Sequence, residues 1–464
     1  MIAIGLALAL ARPADAAPLP IEPRTLRVDY FHTGTASEER YSLDGATLEG
    51  PWAGSMGRAI DDSNLGKYLF EVIDRRNNHV LYSRGFASIF GEWESTSEAR
   101  EETRTFHESL RFPAPATPVQ IVLKKRDRQG GFREAWSFVL DPADPAVGQA
   151  PAKGSAKVWA VMKNGEPRDK VDLLLMGDGY TAAEMEKWHA DAKRLTDILF
   201  GVSPFREHRQ DFNVWATDTP AEESGVARPA DGVHRLSPLR ASYDAFGSER
   251  YVLTFDNKRM REAAAAVSYE FVEIVVNDRK YGGGGIQNLF ATVAADNAFT
   301  PYIFVHEFGH HFAGLADEYY TSASAYESPN GRPEPWEPNV TADPQGGKWR
   351  DLASAGTPLP TPWDKDAFEA EQSRIQARRR EIRAQKRPEA EMEALFRGER
   401  EKMTALLASG PYPARVGAFE GALYEAKGYY RPQADCIMFT RDEVGFCAVC
   451  RRAIERVIAL YAPR

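Results

Sequence analysis

Cysteine is scarce in this chain, with 3 in 464 residues, which excludes a disulfide-held scaffold. Positive charge is also short: 58 Lys+Arg face 67 Asp+Glu, for a formal net charge of −9. Nucleic-acid binders concentrate basic residues, so no nucleic-acid partner is expected. No run is apolar for long enough to span a bilayer. Gly177-Asp178-Gly179-Tyr180 follows an apolar run, but it lacks the GxGxxG spacing and no P-loop lysine follows, so a nucleotide site is not expected. What is present, 43% hydrophobic and 27% charged residues, fits a globular protein whose length implies more than one domain.

Ile2 to Ala11 are apolar, and Arg12, Pro13 and Ala14-Asp15-Ala16-Ala17 follow. This is the pattern of a signal peptide over residues 1–17 with a small-x-small cleavage site. No cysteine follows to carry a lipid anchor, so a secreted or periplasmic location is expected. In an oxidising compartment Cys436 is expected to pair with Cys447 or Cys450, leaving one thiol over. A structural zinc site would want four Cys or His ligands, and no His follows His311, which counts against zinc at this cluster.

From residue 22 to 141 short alternating runs are broken by turn residues. Leu26–Phe31, Tyr68–Ile73, Val119–Leu123 and Ala135–Leu140 read as strands, with turns at Asn77-Asn78 and Gly130-Gly131. An all-β sandwich domain is expected here, one that binds or positions a substrate, since it holds no cluster of His, Cys and carboxylates. Residues 142–156 are rich in Pro, Ala and Gly and read as a linker. After them come strands at Val171–Met176, Asp211–Thr217 and Phe271–Asn277, and a helix opening at Thr181 with Glu184 completing a capping box. An α/β domain over 157–464 follows from this alternation. Within it, residues 364–407 form a charged helical insertion divided by Pro388. Glutamates interleave with Arg378-Arg379-Arg380, as on a solvated helix face.

The chemistry concentrates in Tyr302 to Tyr320. His306 and His310 are four apart, which on a helix places them about 40° apart on one face, one turn above the other. Two imidazoles so placed suit a single Zn²⁺, and Glu307, offset by one residue, is the expected general base for a zinc-activated water. Gly314 is expected to take a left-handed conformation, end the helix and return the chain toward the metal. Asp317 then follows Gly314 at the G-x-x-D interval known from metzincins, although one extra residue precedes the glycine. Asp317 is therefore the expected third ligand and Glu318 its rival. His311 points off the metal face. Met438, in Asp435-Cys436-Ile437-Met438, lies where a metzincin Met-turn would come. Tyr429 and Tyr430 are candidate oxyanion stabilisers, with aromatic packing as the alternative. Gly282 to Gly285 suits either the close approach of a substrate backbone or a plain loop.

His306-Glu307-Phe308-Gly309-His310 through Gly314-Leu315-Ala316-Asp317-Glu318-Tyr319-Tyr320 resembles the IgA-peptidase-type family of secreted bacterial zinc metallopeptidases. Met176 to Thr181, Tyr281 to Ile286, Gly417 to Ala422 and the Cys436–Cys450 region add to the resemblance, which runs from about Val158 to the C-terminus. The residues before it look like the family's accessory domain. The resemblance implies a metzincin-like catalytic domain with His306 and His310 as ligands, Glu307 as base and Met438 beneath the site. The function it implies is that of a zinc-dependent endopeptidase acting on protein or glycoprotein substrates. Two alternatives stay open: an extracellular glycan- or protein-binding protein with a non-catalytic zinc, and a zinc amidase acting on cell-wall peptide.

Overall fold

The computed structural model describes residues 21–150, 156–322, 324–326, 331–442 and 444–462. The expected signal peptide lies outside the described residues. The alternating runs of the first region form β1 (Ile21–Gly34), β2 (Glu39–Pro51), β3 (Tyr68–Asp74), β4 (Val80–Phe86), β5 (Arg104–Pro115), β6 (Val119–Arg126), β7 (Phe132–Leu140) and β8 (Gly148–Gln149). Between β4 and β5 lie two short helices, α1 (Ile89–Trp93) and α2 (Glu98–Glu101), so the region is not purely β. The strands make two four-stranded sheets, ordered β5-β1-β2-β8 and β4-β3-β6-β7.

Alternation decides what each face does. Leu26, Val28, Tyr30 and Phe112 of the first sheet share a buried core with Phe70, Val72, Ile121 and Leu123 of the second. On the other face of β1, Arg27 is buried and paired with Asp29 at 3.0 Å and Glu49 at 2.7 Å. That face meets the rest of the chain: the Arg111 guanidinium lies 3.7 Å from the Tyr269 ring centroid and donates to the Tyr269 carbonyl. The expected linker is partly structured, because β8 pairs with β2 through Thr47↔Gly148 and Leu48↔Gln149. Residues 151–155 lie outside the described residues.

The second region runs β9 (Lys157–Met162), β10 (Val171–Asp178), α3 (Met185–Leu199), β11 (Phe212–Asp218), β12 (Ala241–Ser242), β13 (Leu253–Thr254), α4 (Asn257–Ala264), β14 (Phe271–Val276), β15 (Gly283–Ile286), β16 (Phe290–Ala294) and α5 (Thr300–Ala313). It continues through α6 (Lys365–Ala384), α7 (Glu389–Ser409), β17 (Phe419–Ala422), β18 (Glu425–Arg431) and α8 (Ala448–Tyr461). Its main sheet is ordered β15-β16-β14-β10-β11-β9. The four inner strands are parallel and the two edges antiparallel.

β10 is covered on both faces, which is why its sequence is an unbroken apolar run. Leu173 and Leu175 pack with α3, α5 and α8, while Leu174 and Met176 join α4 together with Phe90 and Trp93 of α1. The N-terminal region therefore shares a core with the second. The Gly-Asp-Gly sequence at the end of β10 serves this packing: the buried Asp178 carboxylate accepts from Ser237 Oγ and from the Leu239 and Ala241 amides at 2.7–3.0 Å. Helices α6 and α7 break at Pro388 and bury Phe368, Ile375, Ile382, Met392 and Phe396. The Phe396 ring packs on Tyr281 and Phe299, just ahead of β15 and α5.

One buried histidine gives the N-terminal region a pH dependence. His32 is 3.0 Å from Glu108 and 2.9 Å from Glu39, and stacks on Phe90. Burial opposes its charged form, but the Glu108 and Glu39 carboxylates outweigh that and raise its pKa. The folded value then exceeds the unfolded one of about 6.5. Its stabilisation is full below that pH and is lost as pH rises through the raised folded value. Thermal melts of wild type and His32→Gln should therefore differ most at mildly acidic pH and converge in alkali. A gap that stays constant with pH would assign the effect to packing on Phe90 instead.

Candidate metal centre

Helix α5 opens with Pro301 in its first turn and ends at Gly314, whose φ of 59° is left-handed. The Gly314 amide reaches the His310 carbonyl at 3.0 Å, and the Leu315 amide the Gly309 carbonyl at 3.3 Å, closing the helix as expected. The reversal brings the Leu315 carbonyl onto His310 Nδ1, and the Ile437 carbonyl accepts from His306 Nδ1 at 2.9 Å. With Nδ1 donating to a carbonyl, each ring turns its Nε2 into the site.

The two Nε2 atoms are 3.1 Å apart, and Asp317 Oδ1 lies 3.1 Å from that of His306 and 3.2 Å from that of His310. Donors held tetrahedrally about 2.0–2.1 Å from one zinc would be about 3.3 Å apart, so this donor set suits a metal. A Glu307 carboxylate oxygen lies within 4.8 Å of a ring nitrogen of both His306 and His310, and Glu307 lines the cleft. Burial raises the Glu307 pKa against the pull of His306 and His310. Burial opposes the His310 imidazolium, but the Asp317 carboxylate beside it lifts its pKa to about 9. The same partners hold Asp317 well below the usual carboxylate range despite burial.

Glu318, the rival ligand, faces away. It is fully buried and accepts from Asn339 Nδ2 at 2.9 Å, with Cys450 Sγ at 3.4 Å. His311 also lies off the site. Its Nδ1 donates to the Ile286 carbonyl at 2.9 Å and its Nε2 accepts from the Val272 amide at 3.2 Å, while burial pushes its pKa down to about 3. This neutral ring ties α5 to β14 and to the end of β15. Met438 is buried beneath the helix: a Cβ on Gly309 would sit 3.2 Å from its Sδ. Its carbonyl accepts from the Glu318 amide at 2.8 Å.

The glycine run is neither a loop nor spare. A Cβ on Gly283 would lie 2.7 Å from Ile303, and one on Gly285 only 2.2 Å from the Glu307 carbonyl oxygen and 2.9 Å from His310 Cβ. Helix α5 rests directly on edge strand β15, and nothing larger than glycine fits between them. The outward register of β15 is partly occupied: Gly283 exchanges backbone bonds with Arg250 and Val252, and the Gln287 carbonyl accepts from Ala87. Gly285, midway, lines the cleft.

The expected tyrosines are elsewhere. Tyr429 donates to the Pro333 carbonyl at 3.0 Å and packs with Val340, and the Tyr430 backbone pairs with Thr341. The tyrosine at the centre is Tyr424, whose hydroxyl donates to Asp317 Oδ2. It sits with Leu423 in the two-residue turn between β17 and β18, both left-handed with φ of 62° and 50°. Such turns are normally Asn-Gly, so Leu-Tyr carries no sequence signal and costs strain of order ~1–3 kcal/mol per residue. The cleft, of about 490 Å³, is walled by Glu92 of α1 and Arg126 of β6 as well as Tyr251, Tyr319 and Tyr326. The N-terminal region thus forms one side of it.

The cysteines also depart from expectation: all three are free and buried. Cys436 Sγ and Cys450 Sγ are 3.9 Å apart, and both Cys447 and Cys450 face the Glu318 carboxyl. The thiols gather around a carboxylate instead of pairing.

A family model described as IgA Peptidase M64 matches residues 159–458, and one described as Peptidase M64 N-terminus matches residues 20–137. No curated protein matches the chain. The contact between α5 and β15 can be tested directly. Gly285→Ala should lower stability by about 1–3 kcal/mol and weaken metal retention, since the helix carrying both histidines must shift. Unchanged melting and unchanged metal content would show that α5 is not seated by this glycine.

Proposed function

The chain belongs to the IgA peptidase M64 family, and from that premise we propose that it is a zinc-dependent endopeptidase hydrolysing peptide bonds in protein or glycoprotein substrates. We read residues 22–141 as a β-sandwich accessory domain, 142–156 as the link and 157–464 as a metzincin-like catalytic domain. The apolar run Ile2–Ala11 is read as directing export to a secreted or periplasmic location.

The observation that carries the reading is the convergence of His306 Nε2, His310 Nε2 and Asp317 Oδ1 within 3.2 Å of one another, beside Glu307 in the cleft. In this reading the three hold Zn²⁺ and Glu318 takes no part. A zinc so bound supplies Lewis acidity toward the substrate carbonyl and toward water. Glu307 takes the proton of the attacking water and passes it to the leaving amine. Its place in the cleft beside both histidines suits both transfers. Tyr424 holds Asp317 through Oδ2, which leaves Oδ1 aimed at the histidines. The Tyr319 hydroxyl accepts from Arg250 Nη2 at 3.1 Å, so its own proton is available to a developing oxyanion in the cleft. Gly285 presents its backbone where an extended substrate would pair with β15.

Incubating a broad peptide library with purified protein, read by mass spectrometry, tests the mechanism against two variants. Glu307→Gln should keep its zinc and lose at least ~10²-fold in cleavage rate; retained cleavage would sink the role of Glu307. Asp317→Ala should lose zinc affinity, and normal binding by that variant would move the third ligand elsewhere.

A further inference from the structure

The cysteine cluster lies behind the HExxH helix and takes no part in the chemistry assigned to the cleft. Its four donor side chains come from three separated segments. Glu318 follows the Gly314 reversal, Cys436 precedes the Ile437-Met438 turn, and Cys447 and Cys450 stand at the start of α8. Glu318, Cys436 and Cys450 are completely buried and Cys447 is 5% exposed. One donor atom from each lies within 4.8 Å of all the others.

The separations match a tetrahedral thiolate site. Zinc–sulfur bonds of about 2.3 Å and a zinc–oxygen bond of about 2.0 Å set S···S edges of about 3.8 Å and S···O edges of about 3.5 Å. Cys436 Sγ and Cys450 Sγ are 3.9 Å apart, and Glu318 Oε1 is 3.4 Å from Cys450 Sγ and 4.0 Å from Cys447 Sγ. Backbone amides point at the sulfurs as they do at thiolates: Cys447 N–H donates to Cys436 Sγ at 3.3 Å, and Cys450 N–H to Cys447 Sγ at 3.4 Å. Cys447 also caps the N-terminus of α8, where a negative sulfur is favoured.

A second observation is independent of these distances. Glu318 Oε2 is buried without a hydrogen-bond partner, on a carboxyl group whose other oxygen faces the sulfurs. An unpaired carboxylate oxygen in the interior is costly, and a cation among the four groups removes that cost. Arg431, itself fully buried, is close enough for its charge to act on both Glu318 and Cys436, and it offsets the negative charge that four anionic ligands leave around a divalent ion.

We propose that Cys436, Cys447, Cys450 and Glu318 bind a second Zn²⁺, a structural ion lying behind the HExxH helix. Three thiolates select zinc over magnesium or calcium, and four buried protein donors leave no open position for a substrate. The ion locks two groups that the first site needs. Glu318 adjoins Asp317, and Cys436 adjoins Ile437, whose carbonyl orients His306. The Glu318 amide bonds the Met438 carbonyl between them. No donor is shared with the His306–His310–Asp317 set, so this site stands or falls separately from the peptidase reading.

The test uses the full chain carrying His306→Ala and His310→Ala, prepared without oxygen, loaded with zinc and dialysed. Elemental analysis should find one zinc per chain; a metal-free, folded protein would overturn the proposal. Replacing zinc by Co²⁺ in the same variant should give the intense near-ultraviolet absorption of sulfur-to-cobalt charge transfer, and its absence would also overturn it. Thiol titration of the wild type, without reductant, supplies a readout that needs no variant. All three cysteines should be unreactive in the native zinc form and all three should react after denaturation in chelator. A single reactive thiol after denaturation would mean a disulfide in place of the metal. Adding Glu318→Gln should weaken the remaining zinc at least tenfold; unaltered affinity would remove the carboxylate from the ligand set.

Discussion

The centre depends on how closely α5 lies on β15. A helix at ordinary distance from a sheet would leave room for side chains between them; here Gly283 and Gly285 leave none, and the Glu307 carbonyl and His310 Cβ rest against bare backbone. That contact sets the height and rotation of the helix, and with them the direction of both imidazoles. The neutral His311 ring adds a second clamp, bridging from the back of the helix to the Ile286 carbonyl and the Val272 amide. A helix held on both sides fixes the direction of both histidines, because the backbone bears the cost of their orientation.

The C-terminal part of the chain completes what the helix begins. The Ile437 carbonyl orients His306, Met438 fills the space under Gly309, and the β17–β18 turn carries Tyr424 onto Asp317. The turn pairs with the segment after α5 through backbone bonds from Leu423 to Asp317 and from Tyr424 to Tyr319, each at 3.1 Å. Asp317 is thus fixed from three directions, although its own loop has no regular structure. The left-handed strain at Leu423 and Tyr424 is sustained by these bonds, as expected where a functional contact over-determines a turn.

The N-terminal region is part of the cleft. Phe90 and Trp93 of α1 enter a core of the second region, and Glu92 between them lines the cavity with Arg126. Burial raises the pKa of Glu92, whose carboxyl bonds Tyr326 across the opening. Arg84 and Arg111 stack on Tyr461 and Tyr269 of the second region. The cleft is thus lined by residues of both regions.

Local patterning determined a good deal. Strands β1, β3, β6, β7, β10, β11 and β14, the capping box at Thr181, the break at Pro388 and the left-handed Gly314 follow from apolar patterning, capping and glycine's freedom, all short-range in the chain. The spacing of His306, Glu307 and His310 is likewise a property of one helix. Tertiary structure decided what local pattern cannot encode. An extended chain alternates its side chains, so Asp317 and Glu318 point opposite ways, and only the packing of the 436–450 segment says which of them meets the histidines. The same packing gathered the three cysteines around Glu318, a donor more than a hundred residues upstream that no spacing rule for Cys and His would have found. It placed Tyr424 at the centre through a turn with no turn residues, and it paired Gly148 and Gln149, in the middle of an apparent linker, with β2. In each case the deciding contact joins segments far apart in the chain, so its geometry exists only once the chain has folded.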